Sequence, residues 1–332
     1  MVKVVTYLKK YKAVLRDYKE VFADIARDYH IPLAAVYADC IACRVFHGAC
    51  TSNYVNFSMY KMNYREKKKY VTLYRSVKLE KLFNSRDRED RSTICNKYLF
   101  NQAFAEMVKR KWLYAPDHMD DEIKAFLQDR EAVIVKAPMQ ARGEGVRKLE
   151  LADIRQKGMD DFLHEVRQNR LLLEEVICQH PVLSAVNPSS VNTIRVATVR
   201  DKGGEVHIIG ASLRAGSEGS FLDNLHAGGV QYPIDVESGC IIRGGVKHDG
   251  EKNILRHPST GTKMIGLQIP NWDCVISTVK KAGKIPSKMR YIGWDVAITE
   301  EGCELIEAND QQGSNGMQQD GVGKYDFIMQ YA

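Results

Sequence analysis

The sequence predicts an α+β fold, with helices interspersed among strands that fold back as hairpins rather than a doubly wound parallel sheet. Two stretches carry that expectation. Residues 191–199 and 206–213 flank the turn Asp201-Lys202-Gly203-Gly204, and residues 293–299 and 305–309 flank Glu300-Glu301-Gly302-Cys303. Each is an apolar run, a glycine-containing turn and a second apolar run, which is the pattern of an antiparallel pair.

Composition bounds the rest. The chain has 332 residues and 44% hydrophobic content, enough for one large core or two to three lobes. No apolar run reaches the ~18 residues of a membrane span. The start, Met1 to Lys10, lacks the apolar segment and small-residue cleavage site of a secretory signal. Eight scattered cysteines suit a reducing cytoplasm. A net charge of +6 fits an anionic ligand such as a nucleotide, and no nucleic-acid partner is expected. Oligomeric state is not readable from the sequence.

Taken in order, residues 1 to about 90 read as helical and basic. Val14, Tyr18, Val21, Phe22 and Ile25 recur at helical spacing, Pro32 punctuates, and a second helix follows through Ala34-Ala35-Val36. The run Arg65-Glu66-Lys67-Lys68-Lys69-Tyr70 reads as a solvated helix face. Cys40, Cys43, His47 and Cys50 fall at i, i+3, i+7, i+10. One straight helix cannot wrap four ligands around an ion, so the spacing reads as a buried stripe rather than a zinc site.

After the charged boundary Arg86 to Arg91, Asn96 to Phe100 opens a helix expected to contain Phe104, Met107 and Val108. Lys97 lies at its start, an unfavourable place for a cation unless an anion is held there; the local sequence by itself favours a surface lysine. Glu131 to Pro138 is a buried strand carrying Lys136, followed by the glycine loop Met139 to Val146 with Arg142, Gly143 and Gly145. Strand, lysine and glycine loop suit a phosphate cradle, although no Walker sequence is present. Asp160 to Gln168 is helical, and 170–177 is a strand carrying Glu174 and Glu175. The next strand holds Asn192 and Arg195, and Arg214 follows its hairpin partner. An embedded arginine pairs with a local acid or faces an anion. His226 stands in the glycine-rich loop Asp223 to Val230, as a general base or as a hydrogen-bonding loop residue. Residues 244–270 read as an irregular insertion, Trp272 to Ala282 as a helix, and 310–332 as a loop and short helix.

In the last hairpin, Glu307 and Asn309 are two apart and share a face, and cross-strand pairing can bring Asp295 beside them. Converging carboxylates repel unless a cation neutralises them, and an all-oxygen set suits Mg²⁺ or Mn²⁺ rather than zinc. The alternative is an ordinary hairpin with polar residues at its exposed edge.

The order of these features resembles the ATP-grasp superfamily, and most closely the ATP-grasp enzymes found with sugar-transfer and cell-surface polysaccharide genes. Gln179-His180-Pro181, Ser190-Val191-Asn192-Thr193-Ile194-Arg195, Leu225-His226-Ala227-Gly228-Gly229 and Gly293-Trp294-Asp295 carry the likeness, which covers about residues 93 to 316. It implies two α+β lobes gripping ATP behind an N-terminal helical region, with divisions at 1–92, 93–180 and 181–332.

The resemblance further implies roles. Lys97 and Lys136 hold the α- and β-phosphates, and the 141–146 loop closes as a lid. The Glu175 carbonyl and Ile177 amide read the adenine edge, and Glu174 or the 179–180 region takes a remaining polar group. Asp295, Glu307 and Asn309 bind two Mg²⁺ ions, with Glu307 bridging. Arg195 faces the γ-phosphate, Arg195 or Arg214 holds an acceptor carboxylate, and the 223–229 loop meets the second substrate. The activity so implied is an ATP-dependent carboxylate–amine ligase acting through an acyl phosphate, joining for example an amino acid to a sugar. A kinase acting on a hydroxyl is the alternative on the same scaffold, and a non-catalytic nucleotide-binding protein is a third reading.

Overall fold

Two antiparallel sheets organise the chain. The computed structural model describes residues 14–84, 88–140, 145–217, 219–221, 223, 228–247 and 250–332. The smaller sheet has β1 (Trp112–Tyr114), β2 (Ala132–Lys136), β3 (Arg147–Glu150) and β4 (Leu172–Glu175) in the order β1-β4-β2-β3. The alternation of β2 turns Val133 and Val135 inward, onto Ile123 and Leu127 of one helix and Phe162 and Val166 of another.

The larger sheet has β5 (Thr193–Arg200), β6 (Val206–Ala215), β7 (Val230–Ile234), β8 (Val246–Lys247), β9 (Tyr291–Thr299) and β10 (Gly302–Asn309), in the order β10-β9-β5-β6-β7-β8. One face is apolar. Ile194, Val196, Trp294 and Val296 pack there against Val275 and Val279 of the Trp272–Ala282 helix and against Phe100 and Phe104. Phe104 meets Trp294 edge-on, with centroids 5.5 Å apart. The opposite face is divided. At one end Ala197, Val199, Ile209 and Tyr291 are covered by Leu79, Phe83 and Ile328. The remainder is polar and carries the candidate site.

An N-terminal helical layer, including helices Lys19–Asp28 and Leu33–His47, has its own core of Phe22, Val36, Cys40, Cys43, Tyr54 and Met59, and helix Leu73–Phe83 joins it to the larger sheet through Leu79 and Phe83. Two local expectations are corrected. The helix that opens at Lys97 ends at Ala103, so Phe104 caps it and Met107 and Val108 lie beyond it. The cysteine stripe spans two helices. Gly48, at φ +65°, caps the first in the left-handed conformation that glycine tolerates, and Cys50 begins the next.

Candidate active site

Register gathers the acids. Asp295 pairs with Arg195 on one side and Glu307 on the other, and Arg195 pairs with Ser212. Directly opposed residues in an antiparallel sheet share a face. Asn309 pairs with Gly293, two residues from Asp295, and so joins the same face. A β-bulge between Leu305 and Glu307 makes this possible. Leu305 pairs with Val296 in the core, and the extra residue Ile306 turns Glu307 to the polar side; regular alternation would have kept Leu305 and Glu307 on one face.

The two carboxylates have different surroundings. Asp295 is buried and receives Arg195 through two bonds, at 2.5 and 2.9 Å, and Arg214 through one at 3.1 Å. The Asn309 amide lies 3.4 Å from the same carboxylate. Burial alone would raise the Asp295 carboxyl, but the two guanidiniums outweigh it and hold it at about 2. Glu307 goes the other way. Burial and then the Asp295 charge push its carboxyl up, opposed by the fields of Lys97 and Arg195. Among the described residues, no cation forms an ion pair with Glu307.

Across from this face lies a second charged cluster. Lys136, buried at the end of β2, bonds Glu174 on β4 at 2.6 Å. Arg110 bonds the same carboxylate at 2.6 Å, and Asn101 donates to it at 3.0 Å. Burial would raise Glu174, but Arg110 and Lys136 bring it down to about 2. Arg110 also reaches the larger sheet. Its guanidinium donates to Glu304 at 2.9 Å and to the Leu305 carbonyl at 2.7 Å, while the amides of Lys109 and Arg110 donate to Glu304. One buried side chain thus ties the strand carrying Glu174 to the strand segment just before Glu307. Lys97 stands between the two clusters. Its ammonium donates to the Gln140 carbonyl, its amide to the Pro138 carbonyl at 2.9 Å, and its charge is felt by both Lys136 and Glu307.

Lysines at the smaller sheet and an acid–acid–amide set on the larger one are thus linked through Arg110. Residues 74–323 match the sugar-transfer associated ATP-grasp family. The chain belongs to that family. No curated protein matches the sequence. Among solved structures, the chain is similar to an ATP-grasp ligase, PsnB, complexed with a phosphomimetic variant of its minimal precursor, Mg and ADP (TM-score 0.44, 14% identity, 75% of this chain and 60% of that one). It is also similar to an N5-carboxyaminoimidazole ribonucleotide synthetase in an ADP complex (TM-score 0.45, 10% identity, 72% and 52%). A third is the D-alanyl-alanine synthetase A of Vibrio cholerae O1 biovar eltor (TM-score 0.41, 12% identity, 73% and 61%). The chain spans 57% to 62% of the length of three of the PsnB chains and 72% of a fourth. Identities this low transfer no residue roles.

The remaining positions take their places in this ATP-grasp chain as follows. Arg142, Gly143 and His226 lie outside the described residues. Gly145 is described at φ +68°, and a Cβ there would overlap the Gln140 side chain. Glu174, read from sequence beside the nucleotide's polar groups, has its carboxylate engaged by Lys136, Arg110 and Asn101. Glu175 is half-buried, and its side chain accepts from the Lys111 amide at 3.0 Å. The Ile177 amide has no acceptor among the described residues.

The segments at Gln179 and Asn192 brace each other. The Gln179 side chain accepts from the Asn192 amide and carboxamide, both at 3.0 Å, and donates to the carbonyls of Asn187 and Ser190. Asn192 is fully buried, with its own carboxamide bonded to Leu183 and Asn187 carbonyls and to the Gly216 amide. It is a structural polar anchor at the root of β5, not a ligand-facing group. Asp223 was not singled out in the sequence, yet it accepts from Thr193 and lies 3.8 Å from Arg214. Arg110 was missed too. It stands between two exposed lysines, and nothing local distinguishes it from a surface cation.

Proposed function

We propose that this ATP-grasp enzyme is an ATP-dependent, ADP-forming ligase that joins a carboxylate to an amine through an acyl phosphate. The observation that carries the proposal is the pair of opposed charge clusters: Lys97 and Lys136 on one wall, and Asp295, Glu307 and Asn309 with Arg195 and Arg214 on the other. The working division is an N-terminal helical region (1–92), a lysine lobe (93–180) and an acid lobe (181–332). Ile94, Phe100 and Phe104 nevertheless pack into the core of the acid lobe.

The residues fit a hard divalent cation. Among the described residues, no group of three His, Cys, Asp or Glu side chains is placed to hold a metal ion. The candidate set is two carboxylates and a carboxamide, which offers oxygen donors throughout. Glu307 is the informative member, because its raised carboxyl faces Asp295 with no paired cation of its own. Asp295, Glu307 and Asn309 would hold Mg²⁺, one ion or a pair. When bound, Mg²⁺ supplies charge neutralisation at the transferring phosphoryl group.

The chain's own groups do the rest. Lys97 and Lys136 bind phosphate oxygens, and Glu174 with Arg110 fixes the Lys136 ammonium at the strand end. Arg195 and Arg214, already aimed at the polar face, orient the γ-phosphate and the acceptor carboxylate. The Ile177 amide suits an acceptor on the adenine edge. The 141–146 loop would exclude water while an acyl phosphate awaits the amine. The family's association with sugar transfer points to an amino acid and a sugar as the joined pair.

The test is a product screen with ATP, Mg²⁺, amino acids, and amino or uronic sugars, read by mass. ADP, phosphate and an amide product are expected. ADP with a phosphoester instead would identify a kinase, and no turnover across the panel would overturn the enzyme reading.

A further inference from the structure

The outer surface of the N-terminal helical layer has a chemistry the nucleotide cleft does not use. Helix Leu33–His47 carries only Asp39, Arg44 and His47 as titratable groups besides its cysteines and Tyr37. It is apolar on the buried side through Val36, Cys40 and Cys43, and again on the outside through Ala34, Ala38, Ile41 and Val45, which recur at helical spacing. A surface helix of a water-surrounded protein normally turns a polar face outward.

Exposed apolar residues gather where Tyr74 meets Gly48, the C-cap of helix Leu33–His47. Val45, Phe46 and Tyr74 are 69%, 68% and 69% exposed, among the most exposed large apolar side chains in the protein. Tyr74 packs over Gly48, where an added Cβ would stand 2.5 Å from the Tyr74 Cβ, and the Tyr74 amide donates to the Gly48 carbonyl. The His47 ring contacts Tyr64 at 4.9 Å between centroids, and Lys68 lies 4.8 Å over the Tyr64 ring. Leu73, Tyr74 and Val77 continue outward along helix Leu73–Phe83, interleaved with Lys78 and Lys81.

Charge is concentrated in the same place. Residues 33–83 hold nine Lys and Arg against three Asp and Glu, an excess equal to the +6 of the entire chain. Asp39 is taken by Lys67, Glu66 caps the Asn63 amide, and Glu80 is bonded to Ser76. Arg65, Lys68, Lys69, Lys78 and Lys81 are exposed. Aromatic and aliphatic side chains at a tip, rimmed by long cationic ones, match the interfacial zone of an anionic bilayer, in which the rings enter the headgroup boundary and the ammonium groups meet phosphates. A nucleic acid would use the cations but leave Val45, Phe46 and Leu73 without partners.

We propose that this corner seats the enzyme peripherally on an anionic phospholipid surface. The layer is hydrogen-bonded to the segment that follows the candidate site. Asn53 donates to Ser314 and Asn315, Gln318 bonds Val71 through both its amide oxygen and nitrogen, and the 310–324 segment so held follows directly on Asn309. The cleft would therefore be presented at a fixed orientation to the membrane plane. This inference does not depend on the reaction proposed above.

The test is co-sedimentation of the full chain with phosphatidylcholine vesicles containing about a third phosphatidylglycerol, against phosphatidylcholine alone. The expected result is binding to the anionic vesicles that weakens with salt. Phe46→Glu with Tyr74→Glu should lower partitioning by about tenfold or more. Lys68→Glu with Lys78→Glu should lower it and flatten the salt dependence. All four side chains are exposed, and thermal melts check that the variants fold. Equal binding to both vesicle types, variants that bind like the parent, or no binding would overturn the proposal. So would light scattering that shows a dimer which the Phe46 and Tyr74 changes dissociate, since that assigns the face to a second copy.

Discussion

Asp295 and Glu307 stand opposite each other on β9 and β10, yet among the described residues cations pair with Asp295 and not with Glu307. Two guanidiniums hold Asp295 ionised, while Glu307 is pushed toward its protonated form by burial and by its neighbour. Glu307→Gln removes that conflict and one cation ligand together. Mg²⁺-dependent ATP turnover should fall by about a hundredfold or more, while the metal-free protein melts no lower than the parent. Turnover and scanning fluorimetry check the two halves; parental turnover would remove the metal assignment.

The same shift gives metal binding a direction with pH. Glu307 must lose its proton to accept a cation, so Mg²⁺ affinity should weaken as pH falls through its raised value, with protons released on binding. Folding shows the opposite sense. The folded chain holds this proton where the unfolded chain has lost it, so the Glu307 contribution to stability declines as pH rises from 4.5 through the raised value. Calorimetry in buffers of different ionisation enthalpy measures the released proton. Identical proton counts in the parent and in Glu307→Gln would refute this account.

Glu174 has the reverse sign. Its folded value, about 2 against an ordinary 4.5, gives stability that is present above 4.5 and lost as pH falls toward 2. Arg110→Ala leaves Glu174 with Lys136 as its one ion-pair partner beside the Asn101 amide, and removes the guanidinium from Glu304. Unfolding in urea should show a loss of about 3–5 kcal/mol, with acid unfolding beginning at higher pH. A loss below about 1 kcal/mol would mean that Arg110 does not tie the lobes.

Lys136→Ala should weaken ATP binding by at least about tenfold while costing less stability than Arg110→Ala, because Arg110 and Asn101 still satisfy Glu174. Unchanged ATP affinity in equilibrium binding would remove Lys136 from the phosphate site.

The α+β class, the hairpin 293–309 and its three oxygen-bearing residues were all legible in the chain. Hairpins announce themselves by local alternation and turn glycines, and a polar residue inside an apolar strand stands out against its neighbours. The lysine ending β2 was legible for the same reason. Tertiary structure alone decided that Ile306 is a bulge, that Glu174 is locked between Lys136 and Arg110, and that Gln179 and Asn192 interlock. The bulge depends on pairing across a hairpin and the other two on residues 13 to 64 positions apart meeting in space, and local periodicity carries no record of such a meeting. Arg110, between two exposed lysines, is the clearest case: sequence gives it a charge, and only the closing of two sheets around it decides which carboxylates it meets.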